Sequence, residues 1–290
     1  ILTFYILSLL GKFRVNKVDL TPQEYTEFCT FLEKHCGIVL GASKQYLVRS
    51  RLSPLLSETN CDSLSQLVKK AMVIHERALR STVIDAMTTN ETLWFRDKYP
   101  FDILTTRLLP EFANIGRPLK IWSAASSSGQ EPYSITMTCM EFKEKNPGAL
   151  KFGFEVLGTD ISDSMLAHCN KGEYDKLALS RGLSPERLRK FFNPASDNCY
   201  VIKDDVKRHV KFRSFNLLDN FSLLGRFDIV FCRNVLIYFS PEIKRQIFAN
   251  FAKVTNKEGY LMLGASESIN GLTDDFKMNR CPSGIVYQAL

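Results

Sequence analysis

Apolar positions follow a helical spacing in the early part of the chain, then give way to short apolar runs separated by polar loops. From residue 20 to about 88 the pattern predicts helices only. Thr21-Pro22-Gln23-Glu24 reads as a capping box with proline at the first helical position. Tyr25, Phe28, Phe31, Leu32 and His35 then share one stripe, and Gly37 ends the helix. A second helix runs through KQYLVRSRLSPLL, with Leu47, Val48, Arg51, Leu52 and Leu55 in period and Pro54 as a break. A third begins near Ser63, and a fourth covers RALRSTVIDAMT.

From Leu119 the texture changes to strand, loop and helix in alternation. LKIW, FEVLGTD, HVKFRSFNL, FDIVFCRNVLIYF and YLMLG read as strands. EPYSITMTCMEF, ISDSMLAHCN and a helix capped by Ser240-Pro241, with Ile243, Ile247, Phe248, Phe251 and Val254 inward, read as helices. Such alternation predicts a parallel sheet covered on both faces. FKMNR and IVYQAL, around the Cys281-Pro282-Ser283-Gly284 turn, predict an antiparallel hairpin that ends the sheet. Between the second and third strands lies a stretch too long for an ordinary crossover, with its own short β-like piece, CYVIKDD. We read it as an inserted subdomain at about residues 172–212. No element is assigned between Lys98 and Pro118.

The 290 residues are 45% hydrophobic and 24% charged, which supports a sizeable core and excludes a disordered or collagen-like chain. A formal charge of +7 is spread along the length, fitting a local basic patch better than a nucleic-acid coat. The eight cysteines show no CxxC and no zinc spacing, so buried thiols in a reducing cytoplasm are expected. The four histidines do not cluster with carboxylates or cysteines, and no metal site is expected. The apolar opening ILTFYILSLL is about half the length of a membrane span. Residues 1–17 are left as an unassigned extension, followed by a helical domain at 18–88 and an α/β domain at 89–290.

The strongest chemical feature is Ser123-Ala124-Ala125-Ser126-Ser127-Ser128-Gly129-Gln130-Glu131. It follows a strand and opens a helix, where the first turn of a nucleotide-binding sheet holds its ligand. Small residues let the backbone approach an adenosine moiety, whereas a single glycine disfavours a pyrophosphate cradle and the missing Gly-Lys-Ser/Thr excludes a P-loop. Glu131 suits a cationic ligand or else caps its helix. Asp160, ending the second strand, can take both hydroxyls of a ribose or can cap the next helix. In TTNETLWFRD, Asn90, Thr92 and Arg96 are hydrogen-bonders, with Arg96 aimed at a carboxylate or simply solvated. Asn216, Asn234 and Tyr238 follow strands, so they should project at the carboxyl edge of the sheet, with capping and core packing as the alternatives.

Taken together, TTNETLWFRD, IWSAASSSGQEPYSI, LGTDIS, VKFRSFNLLD and FDIVFCRNVLIYF resemble, in that order, the signature blocks of the CheR family, methyltransferases of bacterial chemotaxis receptors. The resemblance runs from about Val18 to the end of the chain. It implies a doubly wound, mostly parallel seven-stranded methyltransferase sheet of α/β class, with a small inserted β-subdomain and an all-helical N-terminal domain. It also implies S-adenosylmethionine as cofactor, S-adenosylhomocysteine as product, and receptor glutamates as methyl acceptors. Position by position, the implied cofactor contacts are Asn90, Thr92, Arg96, Glu131, Asp160, Asn216, Leu217, Asn234 and Val235. Arg96 and Tyr238 are the implied catalytic pair, positioning the reactants without exchanging protons. Gln130 departs from a usual glutamate, and Ser126 stands where alanine or cysteine is common.

The implied chemistry suits the residues. A glutamate side chain, with an ordinary pKa of about 4.3, is already ionised at neutral pH, so no general base is needed. Lys44, Arg49 and Arg51 on the second helix are positioned to meet an acidic receptor helix bundle, or else form a solvated basic face. The resemblance also suggests sheet-edge addition of a receptor tail peptide to the β-subdomain, although NPASDNCY lacks glycines at the expected turn. A cytoplasmic monomer without membrane insertion is expected. A non-catalytic binding module would have lost Asp160 or Asn234. A nucleic-acid methyltransferase would carry an Asp/Asn-Pro-Pro-aromatic motif where Arg233-Asn234-Val235-Leu236 stands.

Overall fold

The computed structural model describes residues 19–196 and 198–290; the extension at 1–17 lies outside the described residues, as does Asp197 in the NPASDNCY turn. The chain forms two compact units, divided after Thr88.

In the first unit the helices are α1 (Pro22–Cys36), α2 (Gln45–Leu52), α3 (Leu64–Met72) and α4 (Arg77–Met87), with a single turn at Leu55–Glu58. The Thr21 hydroxyl accepts from Glu24 N and the Glu24 carboxylate accepts from Thr21 N, closing the capping box; Gly37 ends α1 at φ 76°. The buried stripe of α1 is Tyr25, Phe28, Phe31, Leu32 and Cys36. His35 is half-buried and leans on the Phe31 ring, one position off the stripe predicted for it. The Glu24 carboxylate is drawn down to about 2 by Lys69, Ser65 and the Thr21 backbone.

The second unit contains strands β1 (Leu119–Ala124), β2 (Phe154–Asp160), β3 (Glu173–Asp175), β4 (Phe192–Ser196), β5 (Cys199–Ile202), β6 (Val210–Ser214), β7 (Phe227–Cys232), β8 (Thr255–Leu263), β9 (Phe276–Cys281) and β10 (Gly284–Ala289). Seven of them form one sheet in the order β6-β2-β1-β7-β8-β10-β9. The pairs from β6 to β8 are parallel, and β10 lies antiparallel between β8 and β9. The predicted hairpin is thus present, with its second strand inserted inward. β7 stops at Cys232, short of the predicted run to Phe239, because Asn234 turns the backbone left-handed at φ 59°.

Alternation along the strands sends side chains to two cores. Ile121, Ile229, Phe231 and Met262 face one side with Tyr133, Ile135 and Phe142 of α5 (Gln130–Lys145). Trp122, Val230, Leu261 and Leu263 face the other with Ile247, Phe248 and Phe251 of α7 (Pro241–Val254); α6 (Asp163–Lys171) follows β2. The unassigned stretch before β1 is helical over residues 99–111, with a π turn at Leu104–Leu108. The insertion contains three strands instead of one, in the order β3-β5-β4. Asp228, on β7, is buried; burial would raise its carboxyl, yet Arg117, the Lys120 N–H and Asn256 hold it below its ordinary value. Among the described residues, no helix is long and apolar enough to cross a membrane.

Candidate active site

The chain leaves β1 for β2 on one side, and β7 later returns to pair on the other. The carboxyl ends of β1 and β7 therefore border the crevice where open α/β sheets bind ligands. The loop after β1 is tightly wound. Ala125 and Ser127 adopt φ 56° and 50°, and Gly129 reaches φ 94° before α5 begins. Three residues hold this loop from behind: Tyr174 donates to Ser128 O at 2.7 Å, the Cys169 thiol donates to Ser127 O at 3.1 Å, and Ser126 N donates to Thr159 O at 2.8 Å. A side chain at Gly129 would bring its Cβ within 2.9 Å of the Tyr174 hydroxyl.

Asp160 joins this loop to the next. Its two oxygens accept Ser127 N at 2.7 Å and Ser162 N at 2.9 Å. It is not the cap of α6, since that role belongs to Ser162, which accepts from Met165 N. The Ser127 hydroxyl donates to Asn90 O at 2.7 Å, which draws the TTNETLWFRD segment to the same loop.

Glu131 does not cap α5 either. Its carboxylate accepts from the Ser123 hydroxyl at 2.8 Å and pairs with the Arg233 guanidinium at 2.9 Å. Arg233 also pairs with Asp97 at 2.7 Å and donates to Arg96 O at 3.0 Å. Burial opposes its positive charge, but Glu131, Tyr99 and Asp97 hold its pKa above the ordinary value. Sequence reasoning placed Arg233 only as the neighbour of Asn234 and missed Asp97. The signal available was an arginine closing an apolar run, a position that demands acidic partners once buried.

The predicted residues therefore meet in part. Asn90, Asp160 and Glu131 are tied together through the loop after β1, and the Arg96 backbone joins them through Arg233. The Arg96 guanidinium turns to Glu91 O at 3.0 Å, in its own segment, where Thr92 is half-buried. Asn216 and buried Leu217 follow β6, whose end is tied to Asp160 O by Phe215 N at 2.9 Å; Asn216 Oδ1 accepts from Leu218 N. Asn234 and Val235 follow β7, both half-buried. Tyr238 is half-buried on the short 3₁₀ turn Leu236–Tyr238, and among the described residues its side chain takes no part in the network.

Among the described residues, two buried side-chain oxygens, Ser126 Oγ and Asn234 Oδ1, find no hydrogen-bond partner. Protein interiors rarely leave such atoms unmet, and at the sheet's carboxyl rim they suit a ligand that brings donors. S-adenosylmethionine does so, through its adenine amine, ribose hydroxyls and ammonium group. Among the described residues, no group of three or more His, Cys, Asp or Glu could hold a metal ion. All eight cysteines are free thiols, and burial pushes those of Cys139, Cys169 and Cys232 up, away from reactivity.

A switch-point crevice with these features defines a methyltransferase-type sheet, and comparison with known proteins carries this to a family. Residues 90–285 match the family model "CheR methyltransferase, SAM binding domain", and residues 23–88 match "CheR methyltransferase, all-alpha domain". Chemotaxis protein methyltransferase 1 of Vibrio cholerae is 58% identical over 274 residues, covering 94% of this chain and 99% of that protein. Chemotaxis protein methyltransferase Cher2 of Pseudomonas putida is 52% identical over 268 residues, covering 92% and 98%. The chain belongs to the CheR methyltransferase family. Among solved structures, magnesium protoporphyrin IX methyltransferase from Synechocystis is more distant, at 12% identity and a TM-score of 0.37, covering 83% of this chain and 95% of that one.

Proposed function

We propose that this chain transfers the methyl group of S-adenosylmethionine to glutamate carboxylates on chemotaxis receptors, giving methyl esters and S-adenosylhomocysteine for sensory adaptation. The observation that carries this reading is Asn234 Oδ1, without a hydrogen-bond partner among the described residues and buried at the carboxyl rim of a chain 58% identical to a chemotaxis methyltransferase.

When bound, S-adenosylmethionine supplies an electrophilic methyl group on a sulfonium. Asp160 would support the ribose, and Asn216 with Leu217 and Asn234 with Val235 would surround the adenine and the donor methyl. Asn90, Thr92 and Arg96 would contact the cofactor, and Glu131 would meet its methionine or sulfonium end. The Glu131 carboxylate is already matched by Arg233, so it offers remaining lone pairs more than net charge. Arg96 and Tyr238 align the incoming carboxylate and exclude water, and alignment of this kind supplies most of the rate when no proton moves. No base is required, which agrees with three of the histidines being packing residues: His35 leans on Phe31, His168 stands edge-on to Tyr174 and His209 stacks on Phe154.

On the receptor side, Lys44, which directly precedes α2, and the arginines of α2 meet acidic receptor helices. Arg51 donates to Met87 O, so the contact rests on Lys44 and Arg49, both exposed; Arg49 pairs with exposed Asp19. Residues 18–88 serve docking and residues 89–290 serve catalysis, in a cytoplasmic monomer. Incubation with methyl-labelled cofactor and receptor cytoplasmic fragments tests the reading. Base-labile label on receptor glutamates is expected, and label on RNA alone, or none on the receptor, would overturn it.

A further inference from the structure

We propose that Glu267 is a positioning residue whose carboxylate fixes the turn that presents Asn234 to the cofactor. Glu267 lies beyond β8, outside every segment that the sequence marks for chemistry. Its Oε2 accepts from Asn234 N at 2.7 Å and from Gly264 N at 2.9 Å, and its Oε1 accepts from Leu236 N at 2.8 Å. One side chain thus binds three backbone donors on two connections that follow neighbouring strands, β7 and β8.

The geometry explains why a carboxylate is required. With Asn234 left-handed at φ 59°, the 234 and 236 N–H groups converge on one side of the turn. A glutamate presents two acceptor oxygens with several lone pairs. A glutamine keeps one acceptor and turns its amide hydrogens toward a donor. The space is closed as well: a Cβ at Gly264 would stand 2.7 Å from Glu267 Oε2 and 2.9 Å from Asn234 N. The tightly determined backbone contrasts with the side chain it carries, since Asn234 Oδ1 is buried without a partner among the described residues. A turn held this firmly around an unmet acceptor is built to hold that acceptor for a ligand. The inference rests on the reading that Asn234 contacts the cofactor.

The test is calorimetric binding of S-adenosylhomocysteine to the wild-type chain, Glu267→Gln, Asn234→Ala and the double variant, with thermal melts taken separately. Each single change is expected to weaken binding about tenfold, and the double variant to bind within about twofold of Asn234→Ala alone. If Glu267→Gln weakens binding as much in the Asn234→Ala background as in the wild type, or leaves it unchanged in the wild type, the positioning role is overturned while the cofactor reading stands. If Asn234→Ala binds as tightly as the wild type, the assignment of Asn234 itself fails and takes the inference with it. Should Glu267→Gln not fold, Gly264→Ala crowds the same carboxylate and is expected to show the same non-additivity with Asn234→Ala; additive losses would overturn the proposal.

Discussion

Arg233 and Glu131 meet at 2.9 Å, joining the residue that follows β7 to the first turn of α5, the helix that follows the loop after β1. The arginine is only 6% exposed and has a second acid, Asp97, at 2.7 Å. Removing a buried ion-pair partner strands the remaining charges, which costs about 3–5 kcal/mol. Arg233→Met should therefore lower unfolding free energy by about that amount in urea titrations. A change below about 1 kcal/mol would show the pair to be dispensable.

Asp160→Asn should weaken S-adenosylhomocysteine binding about tenfold or more. The amide keeps one acceptor for the two N–H groups that Asp160 now receives, and it offers the ribose hydroxyls a poorer partner. Calorimetry checks this, and unchanged affinity would remove Asp160 from the site.

Gly182→Ala should destabilise the insertion. Gly182 adopts φ 103°, and a Cβ there would run into the Trp94 carbonyl oxygen. Left-handed strain and the displaced Trp94 together are expected to cost about 2 kcal/mol or more. Limited proteolysis should then cut sooner near residues 89–98 than in the wild type; identical digestion kinetics would contradict this.

Stability should fall between neutral pH and about pH 5. Burial lowers the pKa of His35, His168 and His209 below the ordinary 6.5. The unfolded chain then binds protons more readily than the folded one, so their contribution is fully present above about 6.5 and is lost as pH drops through the folded values. Melting temperatures across this window test the sign, because most carboxylates titrate lower. Replacing the three histidines with glutamine should flatten the profile.

Arg96→Ala should reduce methyl transfer at saturating receptor at least tenfold, whereas Lys44→Ala should raise the receptor KM and leave saturated turnover unchanged. Equal loss of both parameters in both variants would refute the division between catalysis and docking.

The strands and caps were legible because their signals are local. Trp122, Ile229 and Phe231 lie in short buried runs, and Ser63, Ser240 and Thr21 sit directly before helices. The helix over residues 99–111 was hidden because its π turn slips the apolar stripe, and because Pro100 and Pro110 suggest breaks. Two of the insertion's strands escaped notice: β3 has only three residues, and β4 carries a proline. Asp160, Asn216 and Asn234 stood out because strand ends are where ligands bind. Asp97 and Glu267 did not, since their importance arises from partners 136 and 33 positions away in sequence.

The phenol of Tyr174 reaches Ser128 O, and Gly182 lies under the Trp94 carbonyl. The insertion is consequently no free-standing ornament that evolution or a designer can exchange at will. A chimera carrying a foreign insertion must reproduce one hydroxyl and one bare Cα at those places, or it will loosen the loop after β1 and the segment around Trp94 from a distance.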